Sequence, residues 1–241
     1  MHKERRNAIE FKVWGRYALF TDPLTKIGGE KFSYHVPTYE ALKGVVKSIY
    51  WKPTLIWIID DVRVMKPIRT QTKGIKPLDF VSGGNDLSIY TFLADVEYQV
   101  RAHFEWNEHR VELIEDRIDG KHHAIARRAL ERGGRQDISL GTRDCQGYVE
   151  PCEFGAGAGH YDDIDQMAFG LMFHSFGYPD ETGDNHLTKR FWRPTLVNGC
   201  IRFDRPEACA STIVVREMTA KRFGQGVNLR TVDSEVAAQD E

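Results

Sequence analysis

The order in which apolar periodicity changes along this chain restricts its fold more tightly than any overall property. In "AIEFKVWGRYALF" apolar residues alternate at Phe11, Val13 and, less cleanly, Tyr17, the two-residue period of a strand. "VPTYEALKGVVKSIYWKP" then spaces Leu42, Val45, Val46 and Ile49 at i, i+3, i+4 and i+7, the stripe of a helix. Pro37 and Thr38 start that helix and Pro53 forbids its continuation, which leaves Tyr50 and Trp51 on its last turn. "TLIWIIDDVRVM" is β-branched and apolar, as a buried strand is, and "YTFLADVEYQVRAHFEW" alternates at Val96, Tyr98 and Val100. A second helix is expected in "RIDGKHHAIARRALERGG", residues 117–134, followed by a short strand in "QGYVEPCEF". Strand, helix, strand, strand, helix, strand is the order of a ferredoxin-like α+β domain, one antiparallel sheet with two helices on one face.

A β-rich insertion of roughly residues 63–90 separates the second and third of these strands. Beyond residue 165 the pattern changes: "MAFGLMFHSF" reads as a strand, and "RFWRPTLVNGCIRF" sets Asn198-Gly199 between two apolar runs. Both positions of a tight hairpin turn need positive φ, which Asn-Gly supplies. The expected division is therefore 1–165 for the ferredoxin-like domain, 166–226 for a small antiparallel sheet of about three strands, and 227–241 for a polar, frayed tail. A chain of 241 residues has enough length to bury a core in either arrangement.

Other classes are poorly supported. The longest aliphatic run, Leu55–Ile59, is far too short to span a bilayer, and the charged start "MHKERRNAIEF" leads into no apolar signal segment. Cys145, Cys152, Cys200 and Cys209 have no CxxC spacing, which argues against structural zinc. The expectation is a cytoplasmic protein with reduced thiols and no membrane partner.

The net charge of −2 conceals two segregated basic clusters. Arg63, Lys66, Arg69, Lys73 and Lys76 lie in "RVMKPIRTQTKGIK" with no acid among them. Lys121, Arg127, Arg128, Arg132 and Arg135 face Glu131 alone in residues 121–135. Charge by itself does not separate a solvated face from a phosphate-binding one. Two clusters on a fold much used for RNA binding favour a phosphate backbone as partner.

The start of the second helix sharpens the question. A helix N-terminus holds about half a unit of positive charge, yet Lys121, His122 and His123 occupy its first turn. An anion seated there would resolve the conflict. Lys121 to stabilise charge on a phosphate, with His122 to move a proton, suffices for metal-free RNA cleavage by the neighbouring 2′-hydroxyl. Two surface histidines at a helix start are the plainer alternative. His160, Asp162, Asp163 and Asp165 in "GHYDDIDQ" form a solvated acidic loop on one reading and a metal site for a DNA nuclease on a weaker one. Neither "KIGGEK" nor "FGAGAGH" has the spacing or framing elements of a phosphate or dinucleotide loop, so no cofactor is expected.

At this point the residues carry a resemblance. "YALFTDPLTKIGGEKFSYHVPTYEALKGVVKSIYWKP", "VRVMKP", "GKHH", "CQGYVEPCEFG" and "YPDETG", in that order from about residue 8 to about residue 225, closely resemble the type I-C branch of the fifth CRISPR-associated (Cas) protein family. That resemblance implies a repeat-associated RNA-binding protein that cuts precursor CRISPR RNA at the base of the repeat hairpin without metal. It then stays on the 5′ handle beside other subunits of the type I-C Cascade complex. The family's catalytic tyrosine falls in "SIYWKP", here Tyr50, and its Lys-His pair in "GKH", here Lys121 and His122; His123 lies outside that pair. By its place in the sequence alone Tyr50 reads as a packing residue, and only the resemblance promotes it. Arg63, Lys66, Arg69, Arg127, Arg128 and Arg135 are the expected RNA contacts. The rival expectation is a non-catalytic subunit that only anchors the 5′ handle.

Overall fold

The computed structural model describes residues 6–23, 25, 30–78, 83–84, 86–118 and 120–221. The expected tail, 227–241, and part of the expected insertion lie outside these described residues. In chain order the elements are β1 (Ala8–Ala18), β2 (Lys31–Phe32), α1 (Tyr39–Ile49), β3 (Leu55–Val64), β4 (Thr70–Ile75) and β5 (Ser88–Trp106). A 3-10 turn (Val111–Asp116) leads into α2 (Lys121–Glu131), β6 (Ile138–Ser139), β7 (Gln146–Pro151), β8 (Met167–Ala168) and β9 (Met172–Gly177). The chain continues through α3 (Pro179–Thr182), β10 (His186–Trp192), β11 (Thr195–Val197), β12 (Cys200–Arg202) and β13 (Ser211–Glu217).

The architecture is mixed and dominated by sheet. Four antiparallel strands in the order β7-β1-β5-β3 form its centre. Period-two burial follows the register: Phe11 and Val13 of β1 lie opposite Val100 and Tyr98 of β5, and Val13 lies opposite Val149 of β7. These side chains point to the helices, where α1 packs on β3, α2 packs on β1 and β7, and the two helices touch. The α1 stripe is buried as its spacing requires, and the Thr38 side chain caps the helix by accepting from the Ala41 N–H at 3.2 Å. The helix ends at Ile49 rather than one turn later. Tyr50 is extended at φ −158°, which turns its ring inward and leaves Trp51 46% exposed.

The Asn198-Gly199 turn forms with φ of 46° and 77°, joining β11 to β12. That hairpin departs from the expected small sheet. It adds to the main sheet instead, because β12 pairs with the edge of β3 and satisfies backbone groups that would otherwise stand open. The small three-stranded sheet is made by β9, β10 and β13. Within the insertion, β4 pairs with the first half of β5, from Thr70 opposite Leu93 to Ile75 opposite Ser88.

On the sheet face away from the helices, a glycine-rich segment crosses the central strands. Phe154 donates its N–H to Glu10 at 2.9 Å, Gly155 donates to Gln99 at 2.8 Å, and Gln99 donates to the Ala156 carbonyl at 2.7 Å. Gly155 and Gly157 have φ of 93° and 76°, values that favour glycine, and they let the segment lie flat on those side chains.

The small sheet is tied to α1 by charge. Glu181 of α3 bridges Lys43 and Lys47, and the Lys43 side chain is only 4% exposed. Burial pushes the Glu181 carboxyl up, but the two lysines outweigh it and hold the group below its ordinary value. Glu181→Gln should cost about 3–5 kcal/mol, because it strands Lys43 without a counter-charge. Urea unfolding would show this, and Lys43→Met in the same chain should recover most of the loss. In the unaltered protein the stabilisation is present at neutral pH and disappears as pH falls through the lowered Glu181 value.

Candidate functional site

Gly120, with φ of 74°, reverses the chain into α2, and no side chain caps that helix. The next residues diverge because successive helical positions are about 100° apart. Lys121 is exposed, His122 is fully buried, and His123 turns to the other side, where its Nε2 lies 3.0 Å from the Ala8 carbonyl.

His122 sits against the aromatic wall of β5, with ring centroids 6.4 Å from Phe104 and 5.6 Å from Trp106. Its Nδ1 is 2.8 Å from the Tyr50 hydroxyl, and its Nε2 is 2.6 Å from the Asp116 carbonyl oxygen. A carbonyl only accepts, so Nε2 carries a hydrogen; in the neutral imidazole, Nδ1 then accepts from the Tyr50 O–H. Burial, and then the Asp116 charge, raise the Tyr50 pKa against the opposing Arg135 guanidinium, which keeps the phenol protonated near neutrality. Tyr50 itself is 1% exposed.

The cations at the helix start have an anion supplied by the chain. The Asp116 carboxylate takes Lys121 Nζ at 2.6 Å and the Thr54 hydroxyl at 2.8 Å, and lies 3.5 Å from His122 Nε2. Hydrogen bonds from Lys121 and then Thr54 hold its carboxyl below the ordinary value. Asp116 had no place in the sequence expectations. Its only signal was an acid five residues before the lysine.

On the other side of Tyr50 lies a basic groove. Lys52, Arg128, Arg132 and Arg135 line it with the tyrosine ring, around a volume of about 570 Å³, and no acid contributes. The Ser48 carbonyl holds its rim by accepting the N–H groups of Arg135 and Gln136 at 3.0 and 3.1 Å. Of the expected RNA contacts, Arg128 and Arg135 thus share one groove. Arg127 lines a separate cleft with His123, Glu10 and Glu131. Lys52 escaped notice because it stands alone in sequence.

The first basic cluster disperses. Arg63 is buried and donates to Asp162 at 3.0 and 2.5 Å and to the carbonyls of Ala156 and Gly157 at 3.3 and 2.8 Å. It anchors the glycine-rich segment, so its guanidinium is buried on partners within the chain where the sequence pattern had placed it on an open basic surface. Lys66 pairs with Asp95 at 2.7 Å, whereas Arg69 is exposed. Asp162 serves as the partner of Arg63, and among the described residues no three His, Cys, Asp or Glu side chains are grouped to hold a metal ion. No described helix is long and apolar enough to cross a membrane.

Comparison with known proteins places this chain in a family. Residues 8–204 match the family described as CRISPR-associated protein (Cas_Cas5). The chain is 29% identical over 230 residues to the CRISPR pre-crRNA endoribonuclease Cas5d of Mannheimia succiniciproducens, covering 81% of this chain and 94% of the relative. It is 29% identical over 175 residues to the protein of the same description from Thermus thermophilus, covering 68% of this chain and 73% of that one. Among solved structures, a CRISPR-associated protein superposes with a TM-score of 0.74 at 34% identity, over 88% of this chain and all 100% of the other. A functionally uncharacterized protein of Streptococcus mutans gives 0.72 at 36% identity, over 86% and 96% of the two chains. The chain belongs to the CRISPR-associated Cas5 family.

Proposed function

We propose that this protein is a pre-crRNA endoribonuclease that cuts repeat RNA without a metal ion, on a ferredoxin-like domain. The partners in this reading are the repeat hairpin, then the 5′ handle of the product, then other subunits of a type I-C Cascade complex. One observation carries it: the 2.8 Å hydrogen bond joining Tyr50 to His122 at the wall of a groove lined by four cations. Two relatives named as pre-crRNA endoribonucleases support the reaction class.

The chemistry follows from the tautomer. Phosphates of the repeat lie along Lys52, Arg128, Arg132 and Arg135, which brings a ribose to the Tyr50 hydroxyl. The 2′-hydroxyl gives its proton to the tyrosine oxygen as that oxygen passes its own to His122 Nδ1. The 2′-oxygen–phosphorus bond forms, the phosphorus–5′-oxygen bond breaks, and the proton held at His122 returns by the same route to the leaving oxygen. Lys121 pairs with Asp116 and does not line the groove, so it stabilises charge on the phosphorane only by leaving that carboxylate. His122, being sealed from solvent, acts through Tyr50, and the ring of Tyr50 must be uncovered for RNA to reach its hydroxyl.

The same burial favours a second reading. A Tyr–His pair with 1% and 0% exposure is also what a purely structural hydrogen bond looks like, and the protein would then only hold the 5′ handle.

Purified protein should cleave repeat hairpin RNA in excess EDTA and leave a 2′,3′-cyclic phosphate. A 2′-deoxy substitution at the scissile nucleotide should stop the reaction, and undiminished cleavage of that substrate sinks the mechanism.

His122→Ala and Tyr50→Phe should each lower the single-turnover rate by roughly a hundredfold with RNA affinity nearly kept, whereas His123→Ala should lose far less. Full cleavage by the first two variants removes the pair from the mechanism, whereas binding without cleavage by the unaltered protein leaves the handle-binding reading in possession.

Salt titrations should separate the two sides of α2. Arg128→Ala with Arg132→Ala should flatten the dependence of log K on log salt by roughly 0.7 per lost phosphate contact, and Arg127→Ala should change it little.

A further inference from the structure

We propose that Asp116 is the positioning residue of the Tyr50–His122 pair. Its carbonyl fixes the imidazole tautomer, and its carboxylate supplies the counter-charge when that imidazole takes a proton. This rests on the reading of the pair as the proton-transfer centre of RNA cleavage.

The contacts converge on one residue. The Asp116 carbonyl accepts from His122 Nε2 at 2.6 Å, which leaves Nδ1 free to face the Tyr50 hydroxyl. One carboxylate oxygen lies 3.5 Å from the same Nε2 and takes the Thr54 hydroxyl at 2.8 Å, while the other holds Lys121 Nζ at 2.6 Å. Asp116 is itself held from behind. It ends the 3-10 turn, and the next residue, Arg117, donates its guanidinium to the carbonyls of Asn107 and Arg110 at 2.9 and 3.3 Å.

The surroundings make this carboxylate matter. Toward His122, β5 presents Phe104 and Trp106, which carry no charge, and the chain after α1 presents Tyr50, with Arg135 over the tyrosine ring. The helix itself contributes Lys121, already paired to Asp116, and its own positive N-terminal end. An imidazolium formed there meets cations and apolar rings on these sides, and Asp116 is the opposing negative charge. Hydroxyl, imidazole and carboxylate in sequence is the logic by which a third group orients a base toward the hydroxyl it serves.

The test is single-turnover cleavage of repeat hairpin RNA by the full chain across pH, with Asp116→Asn, Thr54→Val, Tyr50→Phe and His122→Ala. Asp116→Asn keeps the shape and the backbone carbonyl and removes the charge. It should lower the plateau rate about tenfold to a hundredfold. It should also move the acid limb of the profile to lower pH, because the imidazolium loses its counter-charge, with RNA affinity kept. Thr54→Val should lose less and leave the limb in place. Nitrogen NMR of labelled histidine should report hydrogen on Nε2 and none on Nδ1 of neutral His122 in the unaltered chain. A uniform rate loss in Asp116→Asn with an unmoved limb, or hydrogen on Nδ1, overturns the proposal. Asp116→Asn behaving like the unaltered chain while Tyr50→Phe and His122→Ala are inactive overturns it and leaves the cleavage reading standing. Activity in all four variants also removes the Tyr50–His122 pair as the centre of cleavage.

Discussion

The molecule is organised about one strand. β5 runs for 19 residues and is paired along both edges, with β1 and β3 over its second half and with β2 and β4 over its first. A strand held on both sides cannot shift register without turning every core side chain to the wrong face. Its C-terminal half therefore fixes where Phe104 and Trp106 stand, and those two rings are the wall against which His122 is held. The bend at Asp95, with φ of 54°, separates this rigid half from the half that carries the insertion. The candidate site is thus built on the part of the sheet with the least freedom.

The helix that delivers His122 faces a problem that the chain solves locally. Positive side chains at a helix start repel its dipole, yet the expected anion need not be a ligand. Asp116 stands there, paired to Lys121 and close to the histidine. The Lys121 charge is thereby offset within the chain, while the groove on the other side of Tyr50 holds Lys52 and three arginines with no acid in its lining. In the proposed reaction a polyanion drawn to that groove reaches the Tyr50 hydroxyl once the ring is uncovered.

Much of the arrangement was readable from the residues. The stripe in α1, the alternation in β1 and the turn at Asn198-Gly199 are local signals, and each is present where the pattern put it. What escaped depends on distance in sequence. The 72 positions that separate Tyr50 from His122 carry no periodic sign of their hydrogen bond, and only the family resemblance put the tyrosine with the histidine. Arg63 misled for the same reason. Among five cations it reads as surface, but its partner Asp162 lies 99 positions away. The hairpin of β11 and β12 was readable as a hairpin, while the sheet it joins was not, because a strand edge in need of pairing is a property of the finished sheet.

The segment laid over the far face of the sheet limits what kind of RNA the proposed nuclease could read. RRM-like sheets commonly bind single strands by stacking splayed bases on that open face. Here Glu10, Gln99, Arg63 and the backbone of residues 154–157 fill the centre of it, with the Arg101 guanidinium carbon 4.4 Å from the Phe154 ring centroid. Bases have no platform there. In the proposed function recognition falls to the helical side, where the cations of the groove would measure the spacing of phosphates and the reach of a ribose hydroxyl. Those are features of a folded stem's A-form contour, and a surface of this kind distinguishes shapes before it distinguishes letters.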